Sequence, residues 1–321
     1  MAAPTLYISR LLPDPVMTAA RRQFQLLNDP RDASPSWDNV KTGLREADAA
    51  ICTLTDRVDA SMLAEATRLK ILANYAVGYN NIDLAAAKAR GIVVTNTPDV
   101  LTDSTADLTW ALLLAVTRRV AEGDAYVRSG DWSGWAPTQM LGTDVSGKTL
   151  GIVGMGRIGQ AVAQRAAGFN MRILYTSRTP TALERVPSQW EPRTLPDLLK
   201  EADFVSVHVP LTPATHHLIG ARQLELMKPT AFLINTSRGP VVEEAALVDA
   251  LLQRRLAGAG LDVFEHEPAF HPSLRELRQV VLLPHLGSAT LATRVRMGMI
   301  CLENIAAVVA GKPAPNQIHA A

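Results

Sequence analysis

The chain has 321 residues, of which 47% are hydrophobic and 20% charged, with a formal net charge of +1. This composition is typical of a globular protein long enough for two domains, and it argues against intrinsic disorder. A near-neutral charge without a run of Lys or Arg argues against a nucleic-acid partner. The longest apolar run, at 110–116, is far below the ~20 residues of a membrane span.

The first hundred residues alternate short apolar segments with segments of helical periodicity. Strands are predicted at 5–9, 49–53, 69–74 and 92–95, and helices at 15–24, 59–64 and 82–89. This alternation is typical of parallel strands joined by helical crossovers. A capping-type start at 103–107 then opens a longer helix that runs at least to Arg118.

A second alternating set begins at Lys148. Its strands are predicted at 150–154, 172–175, 204–209, 231–235, 260–263 and 280–283, and its helices at 160–169, 195–201, 221–227 and 243–253. A last helix at 290–310 ends at Gly311-Lys312-Pro313, a typical stop signal. We expect this last helix to return to the first domain. The sequence therefore predicts an α/β fold with a discontinuous first domain.

The stretch at 149–159 has the pattern of a dinucleotide-binding turn. An apolar strand ends in Gly154-x-Gly156-x-x-Gly159, and a helical segment follows at once. Gly154 permits the tight turn, Gly156 lets the backbone approach a pyrophosphate, and Gly159 lets helix and strand pack closely. Although a glycine-rich turn alone is weak evidence, the strand before it and the helix after it favour a dinucleotide site.

The end of the next strand bears on the choice of dinucleotide. An acidic residue about 20 positions after the glycines usually binds the ribose 2′-hydroxyl, but this chain has Ser177-Arg178-Thr179 there. An arginine offers a fork of donors to a 2′-phosphate, so NADP(H) is favoured. NAD(H) is the alternative if Arg178 only stacks on the adenine.

Three further segments follow predicted strands, at the edge where open α/β sheets bind ligands. They contribute Arg238, Glu267 and His285. Arg238 can bind a carboxylate and polarise a carbonyl, and His285, kept charged by Glu267, can donate a proton. Each residue alone has a structural interpretation, as a salt bridge, a cap or a core histidine. Together, beside a dinucleotide motif, they favour reduction of a 2-oxo acid.

These segments resemble the D-isomer-specific 2-hydroxyacid dehydrogenases, and among them the glyoxylate/hydroxypyruvate reductases. The similarity spans nearly the whole chain and includes Asn74-Tyr75-Ala76-Val77-Gly78-Tyr79 and Thr97-Pro98-Asp99-Val100-Leu101-Thr102-Asp103. The resemblance makes Arg238, Glu267 and His285 the catalytic residues.

The resemblance also implies the architecture, with two Rossmann-like domains and a cleft between them. A flavodoxin-like substrate-binding domain is expected at 1–98 and 291–321. The dinucleotide-binding domain is expected at 99–290 and includes a dimerisation arm near 120–147. The protein is then a homodimer, in which Trp135 either reaches the active site of the other subunit or only packs the interface.

Ligand contacts follow from the same resemblance. The backbone amides of Val77 and Gly78, with Arg238, bind the substrate carboxylate, while Leu54 and Trp135 line the pocket. Cofactor contacts are expected at Thr105, Gly154, Met155, Gly156, Arg157, Ile158, Gly159, Ser177, Arg178, Thr179, Thr236, Ser237, Arg238, Asp262, His285 and Gly287.

The expected activity is NAD(P)H-dependent reduction of glyoxylate or hydroxypyruvate to the D-2-hydroxy acid, with the proton from His285. A dehydrogenase of a D-lactate or D-glycerate type of acid is a second interpretation. Formate dehydrogenases tend to lack a glutamate at position 267, which disfavours them. A dinucleotide-sensing protein, like the corepressors built on this scaffold, can keep the same three residues.

Metal binding and disulfides are not expected. Cys52 and Cys301 stand singly in apolar stretches, which indicates reduced thiols in a cytoplasmic protein. The first ten residues lack the apolar core of a signal peptide. His216-His217 lacks a partner at ligand spacing, so no metal site is expected there.

Overall fold

A computed structural model describes residues 3–178 and 186–319 of the protein. The chain divides into two compact units, Met1–Leu101 with Ser288–Ala321 and Thr102–Gly287. The boundaries predicted from the sequence, 98/99 and 290/291, lie close to these two divisions. Thr179, an expected cofactor contact, lies outside the described residues.

The first unit is built on a parallel sheet of five strands. These are β1 (Thr5–Ile8), β2 (Gln25–Leu26), β3 (Ala49–Thr53), β4 (Ile71–Tyr75) and β5 (Val93–Thr95). Their order in the sheet is β2-β1-β3-β4-β5, which is the order of flavodoxin-like folds. The helices between them are α1 (Asp14–Gln23), α2 (Trp37–Glu46), α3 (Ala60–Glu65) and α4 (Leu84–Ala89).

The second unit is built on a parallel sheet of seven strands. These are β6 (Thr149–Val153), β7 (Arg172–Thr176), β8 (Glu191–Pro192), β9 (Phe204–Val207), β10 (Phe232–Asn235), β11 (Gly258–Leu261) and β12 (Val280–Leu282). Their order is β12-β11-β10-β9-β6-β7-β8. The chain therefore runs from β6 to one edge, returns to β9 and continues to the other edge. Such a reversal point is where doubly wound sheets bind dinucleotides.

The helices of the second unit are α5 (Thr102–Thr117), α6 (Val120–Arg128), α7 (Arg157–Arg165), α8 (Leu195–Glu201), α9 (Ala221–Leu224) and α10 (Glu244–Leu252). Two clusters of buried side chains pack on the sheet, and neighbouring residues of one strand, Leu233 and Ile234, belong to different clusters. This division follows from the period of two in a strand, which points successive side chains to opposite faces. The central strands of this sheet are thus covered on both sides, which explains their continuous apolar sequences.

The last helix, α11 (Leu291–Val309), belongs to the first unit, where it packs on β4 and α1. Met297, Cys301, Leu302 and Ile305 are at most 2% exposed and recur at helical spacing. Fully burying an apolar side chain of this size contributes roughly 1.5–3 kcal/mol. This apolar face is what attaches the end of the chain to the first sheet.

Sequence reasoning missed four elements: α2, α6, β2 and β8. Helix α2 is largely polar and buries only Val40, Gly43 and Leu44, and its start is stabilised by Ser36, whose side chain accepts from the Asn39 amide. The two strands have two residues each, too few to show periodicity. Helix α7 begins three residues before the expected position, directly after Gly156.

Cys52 and Cys301 are buried free thiols, as expected. In the parts of the chain that the structure describes, no helix has the length and apolar character that crossing a membrane requires.

Candidate active site

The glycine turn follows β6 at the reversal point of the seven-stranded sheet. Gly154 has φ +105°, which L side chains rarely adopt, and a Cβ there would lie 2.8 Å from the carbonyl carbon of His208. Gly159 packs so closely on the Gly154 carbonyl that a side chain would overlap it. Around Gly156, by contrast, no described atom beyond the adjoining residues lies within 4 Å of the place a Cβ would take. The turn therefore leaves open the position where a pyrophosphate can approach the start of α7.

The segment after β7 lies beside this turn. Val153 pairs with Thr176 in the parallel register, and the Gly154 amide donates to the Thr176 carbonyl at 3.0 Å. Ser177 and Arg178 come next in the chain, and Arg178 is exposed. A cationic side chain thus follows β7 at the edge that carries the glycine turn, where a dinucleotide's adenosine ribose binds in this fold.

The chain segments after β10, β11 and β12 lie at the same edge of the sheet. Asn235 pairs with Leu261, and Leu261 pairs with Leu282, so the three strands end together. Arg238, the loop of Glu267, and His285 follow these strands in turn.

Asp262 fixes the turn that carries His285. Its carbonyl accepts from the His285 amide at 2.9 Å, and its carboxylate oxygens accept from the Leu286 and Gly287 amides at 2.6 and 2.8 Å. Burial raises the pKa of Asp262, although the two amide bonds act in the opposite direction. His285 itself has φ +56°, a strained conformation for a residue other than glycine that costs on the order of 1–3 kcal/mol. The three bonds to Asp262 hold it there.

His285 and Glu267 form a close pair. His285 Nδ1 lies 2.9 Å from Glu267 Oε2, and Glu267 Oε1 accepts from the Phe264 amide at 3.0 Å. Both side chains are about three quarters shielded, with 24% and 26% exposed. Burial raises the pKa of Glu267, but the hydrogen bond and charge of His285 outweigh it, so this pKa lies below its ordinary value. The carboxylate is therefore ionised at neutral pH and orients the ring through Nδ1, which leaves Nε2 for another partner.

Arg238 lies in a turn organised by Asn235. The Asn235 side chain donates to the Arg238 carbonyl at 3.0 Å and accepts from the amide and hydroxyl of Ser237 at 3.0 and 2.9 Å. Burial lowers the pKa of the Arg238 guanidinium, and the charge of Glu267 acts against this. A guanidinium stays charged even so, since its ordinary pKa is very high. A fixed positive charge is thus held in electrostatic contact with the carboxylate of the His285 pair.

Several expected cofactor residues direct their side chains into the protein. Met155 is fully buried in the core, and the Thr236 hydroxyl bonds that of Thr109 at 2.8 Å. Thr105 donates to the Gly287 carbonyl at 3.1 Å. The side chains of Met155, Thr236 and Thr105 therefore have little surface to offer a ligand. Arg157 and Ile158 begin α7 beside the open Gly156.

The expected substrate-binding residues of the first unit follow adjacent strands. Leu54 comes directly after β3, and Val77 and Gly78 come after β4, with Thr53 paired to Tyr75. All three residues are partly exposed. The backbone of Val77 and Gly78 is held by neighbouring asparagine side chains, as described below.

His216 and His217 have an acidic partner that their spacing in the sequence did not reveal. Glu265 joins His216 and His217, and the ligand atoms of all three lie within 4.8 Å of one another. Glu265 is 48 residues away from His217 in sequence, so no spacing rule could reveal it. Its Oε1 is 2.7 Å from His217 Nε2 and its Oε2 accepts from the Glu244 amide at 3.0 Å. These bonds brace the Glu265–Glu267 loop against His217 and the start of α10.

His208, whose place at a strand end indicates that it can border the cofactor cleft, follows β9 beside the glycine turn. Its Nε2 lies 2.7 Å from the Ser206 hydroxyl, and burial lowers its pKa to about 3. A neutral imidazole thus borders the turn. The only sequence signal was its place at the end of a strand.

A doubly wound parallel sheet with an open glycine turn at its reversal point, and with Arg238, Glu267 and His285 at the same edge, defines a nicotinamide-dinucleotide-dependent oxidoreductase. Comparison with known proteins agrees. Residues 110–287 match the family profile described as D-isomer specific 2-hydroxyacid dehydrogenase, NAD binding domain. The chain belongs to the D-isomer-specific 2-hydroxyacid dehydrogenase family.

Individual relatives match over almost their whole length. The glyoxylate reductase of Thermococcus litoralis is 49% identical, over 98% of this chain and 97% of that protein. A crystal structure of a Thermus thermophilus protein has a TM-score of 0.92 at 46% identity, over 98% of this chain and all of that one. The NADPH-dependent glyoxylate/hydroxypyruvate reductase of Sinorhizobium meliloti was solved with NADP and malonate. Its structure has a TM-score of 0.88 at 34% identity, over 99% of this chain and 97% of that one.

Proposed function

We propose that the protein reduces small 2-oxo acids, glyoxylate and hydroxypyruvate foremost, to the D-2-hydroxy acids, with NADPH preferred over NADH. The observation that carries this proposal is the His285–Glu267 pair at 2.9 Å beside the charged Arg238. The glyoxylate reductases at 47–49% identity support the choice of substrate. The charge of Arg178 supports the choice of cofactor.

In the proposed reaction Arg238 binds the substrate carboxylate and polarises the carbonyl. A guanidinium presents parallel donors that match a carboxylate, and its charge stabilises negative charge that develops on the carbonyl oxygen. Val77 and Gly78 contribute backbone amides to the same carboxylate, and Leu54 contacts the substrate's other end. The bound nicotinamide supplies the hydride.

His285 acts as the general acid in this proposal. Glu267 holds Nδ1, so Nε2 is the atom that delivers the proton to the carbonyl oxygen. The ionised Glu267 stabilises the positive ring before transfer and keeps its orientation afterwards. The reverse reaction uses the same pair, with His285 as the base.

The experiment that tests the proposed function is oxidation of NADPH and of NADH, measured in parallel with glyoxylate and with hydroxypyruvate. We expect turnover with both acids and a higher kcat/KM with NADPH. Turnover of D-lactate or D-glycerate alone would instead favour a dehydrogenase of another acid. Tight binding of dinucleotide without turnover of any acid would favour the dinucleotide-sensing protein.

Glu267→Gln should make reductive activity fall at a lower pH, by about one pH unit. The folded pKa of Glu267 is below its ordinary value, so this carboxylate is charged throughout the neutral range and favours the protonated imidazole. Without it, no negative charge at Nδ1 balances the positive ring that donates the proton, and the loss of activity should be greatest where protons are scarce. Profiles of kcat/KM against pH measure this shift, and a profile identical to the parent's would contradict the pairing.

Arg178→Ala should raise KM for NADPH by about 10- to 100-fold and leave KM for NADH within about threefold. The guanidinium bonds a 2′-phosphate that NADH lacks, so its loss affects only one cofactor. Arg222→Ala, a second exposed arginine of the same unit, is the control. Equal losses with the two cofactors would show that Arg178 does not contact the phosphate.

We also propose a cytoplasmic homodimer that forms through the segment at 120–147. Val120, Val127, Trp132, Trp135 and Leu141 of this segment are exposed, Trp135 to 83%. Apolar side chains concentrated in this way favour a protein contact. Trp135 is proposed to reach the other subunit or to pack in the interface. The two free thiols favour a reducing compartment.

A further inference from the structure

Three consecutive backbone carbonyls after β4 each accept a hydrogen bond from the first unit. The Ala76 carbonyl accepts from the Thr97 amide at 2.9 Å. The Val77 carbonyl accepts from Asn96 Nδ2 at 2.8 Å, and the Gly78 carbonyl accepts from Asn74 Nδ2 at 2.8 Å. Each of these three carbonyls is therefore held by a donor of the same unit.

These bonds determine where the following amides point. In a planar trans peptide the N–H is directed opposite to the C=O of the same unit. Fixing the Ala76 carbonyl thus directs the Val77 amide away from Thr97. Fixing the Val77 carbonyl directs the Gly78 amide away from Asn96. The Gly78 carbonyl does the same for the Tyr79 amide.

The asparagine that holds Gly78 is itself rigidly placed. Asn74 is completely buried in β4, and its Oδ1 accepts from Asn81 Nδ2 at 3.2 Å. Asn81 Nδ2 also donates to the carbonyls of Thr53 and Asp56 at 3.1 and 3.2 Å. A buried amide with satisfied bonds has little freedom to turn, since breaking them leaves polar atoms unpaired. The segment after β4 is therefore connected to the segment after β3.

We propose that Asn96 and Asn74 are positioning residues that aim the backbone amides of Val77, Gly78 and Tyr79 at the substrate carboxylate. This inference rests on the proposed function and adds to it two side chains that act through the backbone and a third amide donor, that of Tyr79. Amides fixed before binding lose little entropy when a carboxylate arrives, so affinity depends on the asparagines even though they do not contact the substrate.

The test variant is Asn96→Asp, which keeps the side chain's shape but removes the donor to the Val77 carbonyl. We expect KM for glyoxylate to rise by about 10- to 100-fold, with kcat within about threefold and the Kd for NADPH unchanged. Carboxylate binding is uniform between ground state and transition state, which is why KM and not kcat carries the effect. A serine at this position is too short to reach the Val77 carbonyl, so Asn96→Ser should raise KM in the same way. This second variant covers the case in which Asn96→Asp does not fold.

Asn28→Asp is the matched control. Asn28 Nδ2 donates to the Ile8 carbonyl at 2.8 Å in the same unit, but not to the segment at 76–79. Asn28→Asp also removes a bond to a backbone carbonyl, but it should leave KM for glyoxylate unchanged. A parent-like KM in the folded Asn96 variants, or an equal rise in Asn28→Asp, would overturn the inference.

Calorimetric titration with malonate separates this inference from the proposed function, because it needs no turnover. If the parent binds malonate and Asn96→Asp binds it about 10-fold or more weakly, the positioning role holds whatever the substrate is. If the parent reduces no 2-oxo acid, the proposed function fails independently. Equal malonate affinity in parent and variant overturns the positioning role.

Discussion

His285→Gln should lower kcat for reduction by about 10²- to 10⁴-fold, because a positioned general acid contributes a factor of this size. Glutamine keeps a polar side chain of similar length but cannot deliver a proton at neutral pH. The Kd for NADPH should change by less than about threefold, since the side chain's proposed task is proton transfer. Steady-state rates and fluorescence titration of the cofactor measure the two quantities.

His266→Gln is the control for this experiment. His266 is an exposed residue of the segment that carries Glu267, so its loss tests whether any histidine near the pair affects the rate. It should retain the parent's kcat within about twofold, as surface substitutions do. A His285 variant with kcat near the parent's would refute the assignment of the general acid and direct attention to a water or another residue.

The strained backbone of His285 fits the proposed role of this residue as general acid. A histidine with left-handed backbone angles is retained only where its surroundings determine them. Here three hydrogen bonds that the amides of residues 285–287 donate to Asp262 do so. The same turn places Nδ1 against Glu267. Orientation of the ring is thus set by the backbone on one side and by a carboxylate on the other, before any substrate binds.

The seven-stranded sheet was predictable from sequence because six of its seven strands are apolar runs bounded by turn residues. Pairing of those strands follows from rules of handedness and helical crossovers, and it confirms two Rossmann-like folds. The polar helix α2 and the two-residue strands were not predictable, since each is stabilised by its neighbours rather than by a pattern of its own.

The candidate site was predictable to a lesser extent. Arg238, Glu267 and His285 could be singled out because each follows a strand, and the ends of neighbouring parallel strands meet at one edge. The inward direction of the Thr236 and Met155 side chains was not readable, because a motif identifies a position and not a rotamer. Nor was the contact of Glu265 with His217, which depends on a loop returning to the sheet.

Arg238→Ala should lower kcat/KM for glyoxylate by about 10³-fold or more. Removing one preorganised donor that stabilises developing negative charge costs about 10²- to 10³-fold in kcat, and the lost charge-assisted bonds to the carboxylate add to KM. Both parameters should therefore change. This distinguishes Arg238 from Asn96, whose replacement is expected to affect KM alone.

Arg238→Lys provides the matched comparison. Lysine keeps the positive charge but cannot present two parallel donors, so it should recover part of kcat and little of KM. Addition of free guanidinium to Arg238→Ala should restore activity in proportion to its concentration, which a merely misfolded variant would not show. Recovery of both parameters by lysine would mean that charge alone is needed. An alanine variant with the parent's kcat/KM would exclude Arg238 from substrate binding and leave the carboxylate to the backbone amides.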